Sequence, residues 1–225
     1  MQTIQTISFM GSLHFFAGSV TLLAGFSALL LSKGTRFHKL SGRIFVWFML
    51  ALTLSGLYLS VERQILFTVF LALLTLYSFL TGWATMASNR TAMLISKYSP
   101  VGAFCIAFGA TLGAIKAASS VDGSLNDLPY GAFLFIAGVA LCCFILDLKH
   151  RRGRLVSRRS RLSRHIWRMG FSLFLSTAIF FFGNNHVLPE SWRTPLVLSA
   201  PVVLVMAVTA VYLVVVAVRS KTLRY

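Results

Sequence analysis

Five histidines and only five acidic residues occur in this chain of 225 residues, and four of those histidines stand at the edges of long apolar runs. His14 lies about two turns into the first run. His38 sits in the basic stretch KGTRFHKLSGR ahead of the second run, and His165 and His186 bracket the sixth. Neutral imidazoles on different membrane helices can ligate a b-type haem, provided acceptors fix their second ring nitrogens. His38 and His165 form the inner ligand pair on this reading, and His14 is an outer ligand. Arg36, Arg43 or Arg168 would neutralise the propionates. The same rings, with His186 among them, offer themselves to a metal ion, although no neighbouring cysteine or carboxylate cluster completes such a site. His186 is the weakest member: it lies 21 residues beyond His165, about 31 Å along a helix.

The elements that carry these residues are dictated by composition. Hydrophobic residues make up 57% of the chain, yet it holds 21 Lys and Arg for a net charge of +16. A soluble protein could not cover that much apolar surface. Apolar runs long enough to cross about 30 Å of hydrocarbon fall at 8–32, 44–61, 65–86, 99–119, 130–148, 165–184 and 195–218. The expected fold is therefore all-α: a polytopic bundle of about seven transmembrane helices in a single domain over 1–225. The second and third runs are separated by Glu62, Arg63 and Gln64 alone, which predicts a tight helical hairpin.

The basic residues alternate between loops. Lys33, Arg36, Lys39 and Arg43, then Arg90 and Lys97, then nine from Lys149 to Arg168, and finally Arg219, Lys221 and Arg224 gather on one side. The positive-inside rule puts that side in the cytoplasm and the N-terminus outside, the arrangement of a bacterial inner-membrane protein. The block KHRRGRLVSRRSRLSR has no aromatic residue for base stacking and is pinned by helices at both ends. Anionic lipid headgroups are its expected partners, not nucleic acid, and His150 within it reads as a solvated surface residue. Asn89 opens an NRT glycosylation triplet that this topology keeps on the wrong side. Cys105, Cys142 and Cys143 fall inside apolar runs and read as small buried hydrophobes. The N-terminus lacks the basic region of a secretory signal, so the first run is expected to stay as a helix.

Two faces point into the bundle. Gly11, Gly18 and Gly25 repeat every seven residues and share a face with His14 and Thr21, where a helix or a flat macrocycle can approach closely. His165, Arg168, Ser172, Ser176 and Gly183 form a polar stripe on the sixth span, which lipid would not tolerate. The competing reading makes His14 a packing residue and His38 and His165 contacts to headgroups.

The stretch LHFFAGSVTLLAGFSALLLSKGTRFHKLSGRIFVWFML resembles the opening of a group of bacterial multi-pass membrane proteins known only as a domain of unknown function, and RHIWRMGFSLF resembles its later motif on the penultimate helix. The resemblance marks His14, Lys33, Gly34, His38, Gly42, His165, Trp167 and Met169, and implies no established reaction. Here Arg168 separates Trp167 from Met169, a departure from that pattern.

The leading functional expectation is a haem-binding, b-cytochrome-like membrane protein in electron transfer, for which sparse intramembrane charge is suitable. A small-solute permease lined by the His14 and glycine face is the runner-up, and a membrane accessory or assembly protein is the third reading. No catalytic residue is assigned.

Overall fold

A computed structural model describes residues 2–152 and 157–222, with side chains described for 9–151 and 157–218. Arg154 and Arg224 of the basic segments lie outside the described residues, as do the side chains of Arg152, Arg219 and Lys221. The chain is an all-helical, multi-pass membrane bundle, and seven of its helices are long and apolar enough to cross a bilayer. They are α1 (Gln2–Leu30), α2 (Arg36–Glu62), α3 (Leu66–Ala84), α4 (Arg90–Ala118), α5 (Tyr130–Arg152), α6 (Arg158–Ala178) and α7 (Pro195–Thr222).

Three helices begin well before their apolar runs. Side chains of Thr35, Asn89 and Ser157 accept the backbone N–H of His38, Ala92 and Ser160 at the starts of α2, α4 and α6. Such caps satisfy orphan donors, so the helices start inside the basic segments and Lys and Arg stems run along the bundle end. His38 and His165 are consequently helical residues, not loop residues. Asn89 is the cap of α4, a structural role for the NRT triplet.

The tight turns follow from backbone chemistry. Glu62 ends α2, Gln64 takes φ 56°, and Leu66 opens α3, as the hairpin expectation required. Between α4 and α5, a two-stranded ribbon pairs Ser124–Leu125 with Leu128–Pro129. Its two-residue turn puts Asn126 and Asp127 at φ 53° and 61°, as a type I′ turn demands. Asn126 Oδ1 also accepts the Leu66 N–H at 3.4 Å, so the ribbon is tied to the tip of the α2–α3 hairpin.

Adjacent pairs α1–α2 and α4–α5 pack along their lengths, and α3 and α6 join them: α3 touches α2, α4, α5 and α6, while α6 touches α1, α3 and α7. The α7 helix is the least covered by protein: Leu198, Val202 and Val205 are buried against the bundle, and most of its other apolar residues face outward, as bilayer contact permits. Only Cys143 is buried by protein; Cys105 and Cys142 point outward, so the expectation of three buried thiols is corrected. These two lie on lipid-facing sides of α4 and α5, where a small apolar residue is tolerated equally well.

The glycine face of α1 is graded. A Cβ at Gly25 would come 2.5 Å from Leu173 and 2.9 Å from Phe45, one at Gly18 would be 3.3 Å from Leu52, and one at Gly11 would meet nothing within 4 Å. Thr21 on the same face is fully buried. Gly25→Leu is expected to destabilise the bundle by about 1–3 kcal/mol in thermal unfolding of the detergent-solubilised protein, with Gly11→Leu unchanged. Equal losses from the two variants would show that α1 does not enter the bundle at Gly25.

Candidate functional site

The inner histidines sit at the basic end of the bundle, each reaching to the end of a neighbouring helix. Gly34, at φ +82°, turns the chain between α1 and α2, a conformation that side chains disfavour. The turn lets His38 fold back, and its Nδ1 lies 3.0 Å from the Ala28 carbonyl of α1. Lys33 donates to the same carbonyl at 2.8 Å and to Leu29 O, and lies 4.2 Å over the Tyr212 ring of α7. Desolvation lowers the Lys33 pKa from its ordinary value.

His165 Nδ1 lies 3.0 Å from the Gly82 carbonyl of α3. The approach depends on glycine, because a Cβ at residue 82 would stand 2.9 Å from Arg168 Cβ and 3.0 Å from Met169 Sδ. Ala28 and Gly82 both lie at the helix ends that face the basic segments, two residues before the ends of α1 and α3. The structure thus brings His38 and His165 to one end of the bundle on different helices.

Their tautomers follow from the acceptors. A carbonyl oxygen only accepts, so Nδ1 must carry the proton in both rings, and the neutral rings keep a lone pair on Nε2. His14 reaches the same state by another route. Its Nδ1 lies 3.1 Å from Ser55 Oγ, which lies 2.7 Å from the Ala51 carbonyl and 3.1 Å from the Leu52 carbonyl; a hydroxyl that donates to its own helix in this way accepts from Nδ1–H. His14 packs against Gly56, where a Cβ would stand 3.0 Å from its ring. It is 14 residues from Ala28, about 21 Å along α1, and so belongs to the other half of the bundle.

His186 stands apart. It is exposed in a short 3₁₀ turn, Asn185–Val187, and its carbonyl accepts from Arg193 Nη2 at 2.9 Å. Among the described residues no three of His, Cys, Asp and Glu form a group that could hold a metal, so His14, His38, His165 and His186 do not converge on one ion. Helix geometry spreads them over both ends of the bundle.

Of the expected propionate partners, Arg36 and Arg43 are exposed on α2. Arg168 faces elsewhere. It is fully buried and donates to Asp147 Oδ1 at 2.9 Å, to Tyr77 Oη at 3.0 Å and to Cys143 Sγ at 2.9 Å. Its guanidinium also lies 4.7 Å from the Tyr77 ring and 4.6 Å from the Trp167 ring. Arg164 adds a bond from Nη2 to Asp147 Oδ1 at 2.8 Å and one from Nη1 to Thr85 Oγ1 at 3.1 Å. Tyr77 Oη donates to Asp147 Oδ2. Arg168 is therefore a structural cation already paired within the chain. The inward stripe of α6 is otherwise as expected, with Ser172 and Ser176 buried, but Gly183 is exposed in a single π-helical turn, Ile179–Gly183.

Sequence reasoning missed Asp147, Tyr77 and Arg164. The signals were present: Asp147 is the sole acid in the run 130–148, and Arg164 and Arg168 are four residues apart on one helix face. What chain position could not reveal is that the two arginines face that acid.

At His38 and His165 two neutral rings each have Nδ1–H held by a carbonyl and Nε2 unspent, the donor chemistry that axial haem ligands share. No family, curated protein or solved structure matches the chain.

Removing Asp147 leaves two buried guanidinium groups without a counter-charge. Asp147→Ala should cost about 3–5 kcal/mol, and Tyr77→Phe about 1.5–3 kcal/mol, in denaturant titrations of the solubilised protein. Adding Arg164→Met and Arg168→Met to Asp147→Ala should recover most of the loss. A fully stable Asp147→Ala single variant would show that the ion network is not formed.

Proposed function

We propose that the protein is a haem-binding, b-cytochrome-like electron carrier of a bacterial inner membrane, with its basic end in the cytoplasm and His38 and His165 as haem ligands. One observation carries this reading. Two histidines on separate helices share one bundle end, and each spends Nδ1 on a helix-terminal carbonyl, at 3.0 Å in both cases, while Nε2 is left for ligation.

Haem, when bound, supplies a one-electron redox centre whose potential depends on its axial ligands and burial. The chain supplies the rest. Ala28 O and Gly82 O hold the rings in the ligating tautomer and raise their basicity through the Nδ1–H bond. Lys33 keeps the Ala28 carbonyl in place by donating to it and to Leu29 O. Arg36 and Arg43, exposed on the first two turns of α2, are the cations available to carboxylates at the membrane edge. Arg168 takes no part, because Asp147 neutralises it. His14, in the same tautomer about 21 Å away along α1, is an outer ligand or relay on this reading.

The test is a reduced-minus-oxidised absorbance spectrum of protein expressed with haem supplied. A stoichiometric b-type spectrum is expected, lost in His38→Ala and in His165→Ala while both variants remain monodisperse, and kept in His186→Ala. A folded, colourless wild-type protein, or unchanged haem content in both inner-histidine variants, would refute the proposal.

A further inference from the structure

A cleft opens at the basic end of the bundle, and neither His38 nor His165 lines it. A cleft of about 230 Å3 separates the end of α3 from the early turns of α4 and α6, and its lining includes Thr85, Ser96, His150 and Arg161 beside apolar Ala92 and Met93. His150 is therefore a half-buried cleft residue and not the freely solvated one its neighbours in the chain suggest.

The polar atoms of this cleft are oriented but unspent. Arg161 gives its Nε–H to the Thr85 carbonyl at 3.1 Å, which fixes the plane of the guanidinium. Its two Nη groups have no hydrogen-bond partner among the described residues, and neither has the Ser96 hydroxyl or the His150 ring. Behind them, Thr85 Oγ1 is held by Arg164 Nη1 at 3.1 Å, so the cleft wall is continuous with the Asp147 network. That network sets two guanidinium charges against one carboxylate, leaving one positive charge uncompensated directly behind the cleft. With Arg161 in front, the pocket concentrates positive potential between low-dielectric helix walls.

A planar guanidinium with paired free donors, a hydroxyl and an imidazole make a donor set suited to the oxygens of a phosphate. Apolar Ala92 and Met93, the latter exposed at 63%, lead from the cleft toward the lipid-facing side of α4. We propose that this cleft binds a phosphate group, presented by the headgroup of an anionic phospholipid or as the free ion. Arg161 is its principal ligand, and Ser96 and His150 complete the cradle. The proposal does not depend on haem, since its cradle uses neither His38 nor His165.

Native mass spectrometry of the delipidated full chain in detergent reads the site directly. Phosphatidylglycerol and phosphatidylcholine are titrated separately, with and without inorganic phosphate as competitor. Preferential retention of phosphatidylglycerol is expected, weakened about tenfold by Arg161→Gln and reduced in the same direction by His150→Ala, a change that removes no hydrogen bond within the chain. Arg159→Gln removes the same charge from the exposed face of α6 and should leave retention unchanged. Retention that inorganic phosphate does not displace assigns the site to the lipid headgroup, whereas displacement assigns it to phosphate from either source. Equal binding of the two lipids that inorganic phosphate does not displace, or an Arg159→Gln loss as large as that of Arg161→Gln, would overturn the proposal.

Discussion

The carboxylate of Asp147, held between Arg164 and Arg168, is the constraint from which the basic end of the bundle takes its shape. One side chain of α5 is bonded at 2.8 and 2.9 Å to two side chains of α6 and is reached by the Tyr77 hydroxyl of α3. Three helices meet on one acid. Inside a bilayer no water can take over from a missing partner, so each of these helices has to find its rotation and depth before any of them is satisfied. The network also decides where His165 points. It follows Arg164 directly, and a step of one residue turns about 100° around the helix axis; with the arginines aimed at α5, the imidazole is swung to the end of α3.

A second physical theme runs through that end: helix termini leave their last carbonyls without intrahelical partners. Ala28 and Gly82 each lie two residues before the end of their helices, at Leu30 and Ala84, and Thr85 caps α3. These are the acceptors used by His38 with Lys33, by His165, and by Arg161. The carbonyl end of a helix carries partial negative charge, which favours cationic and N–H donors. The basic residues gathered at this end of the bundle thus also close its open helix ends.

The spans, the tight α2–α3 hairpin and the gathering of basic residues at one end were legible because each rests on composition or local spacing. The inward stripe of α6 was legible for the same reason: Ser172 and Ser176 sit at helical period in an otherwise apolar run. Helix starts were misplaced by seven to nine residues at α2, α4 and α6, since hydropathy tracks the bilayer, while Thr35, Asn89 and Ser157 start the helix wherever a cap can form. The role of Arg168 was misjudged for a different reason. Its inward face could be read from spacing, but whether it meets a ligand or an acid depends on the approach of α5, and nothing in the local chain encodes that. The tautomers of His14, His38 and His165 were equally hidden, because each depends on an acceptor ten to 83 positions away.

The central place of α6 has its own logic. It is the most polar of the spanning helices, and a polar helix is stable in a membrane only if other helices screen it from lipid. The screening is achieved by close approach at glycine. Gly25 of α1 lies against Leu173, Gly82 of α3 lies against Arg168 and Met169, and Gly170 of α6 admits Thr209 of α7, where a Cβ would come within 2.5 Å of the hydroxyl oxygen. Three helices thus close on three sides of α6 at points where a side chain would hold them off. The arginines need that closeness to be shielded from lipid, and the tight packing in turn needs both of them bonded to Asp147, since an unpaired guanidinium would draw water into the same contacts. The glycines and Asp147 are therefore parts of one solution: the former bring the walls in, and the latter makes the enclosed charge tolerable.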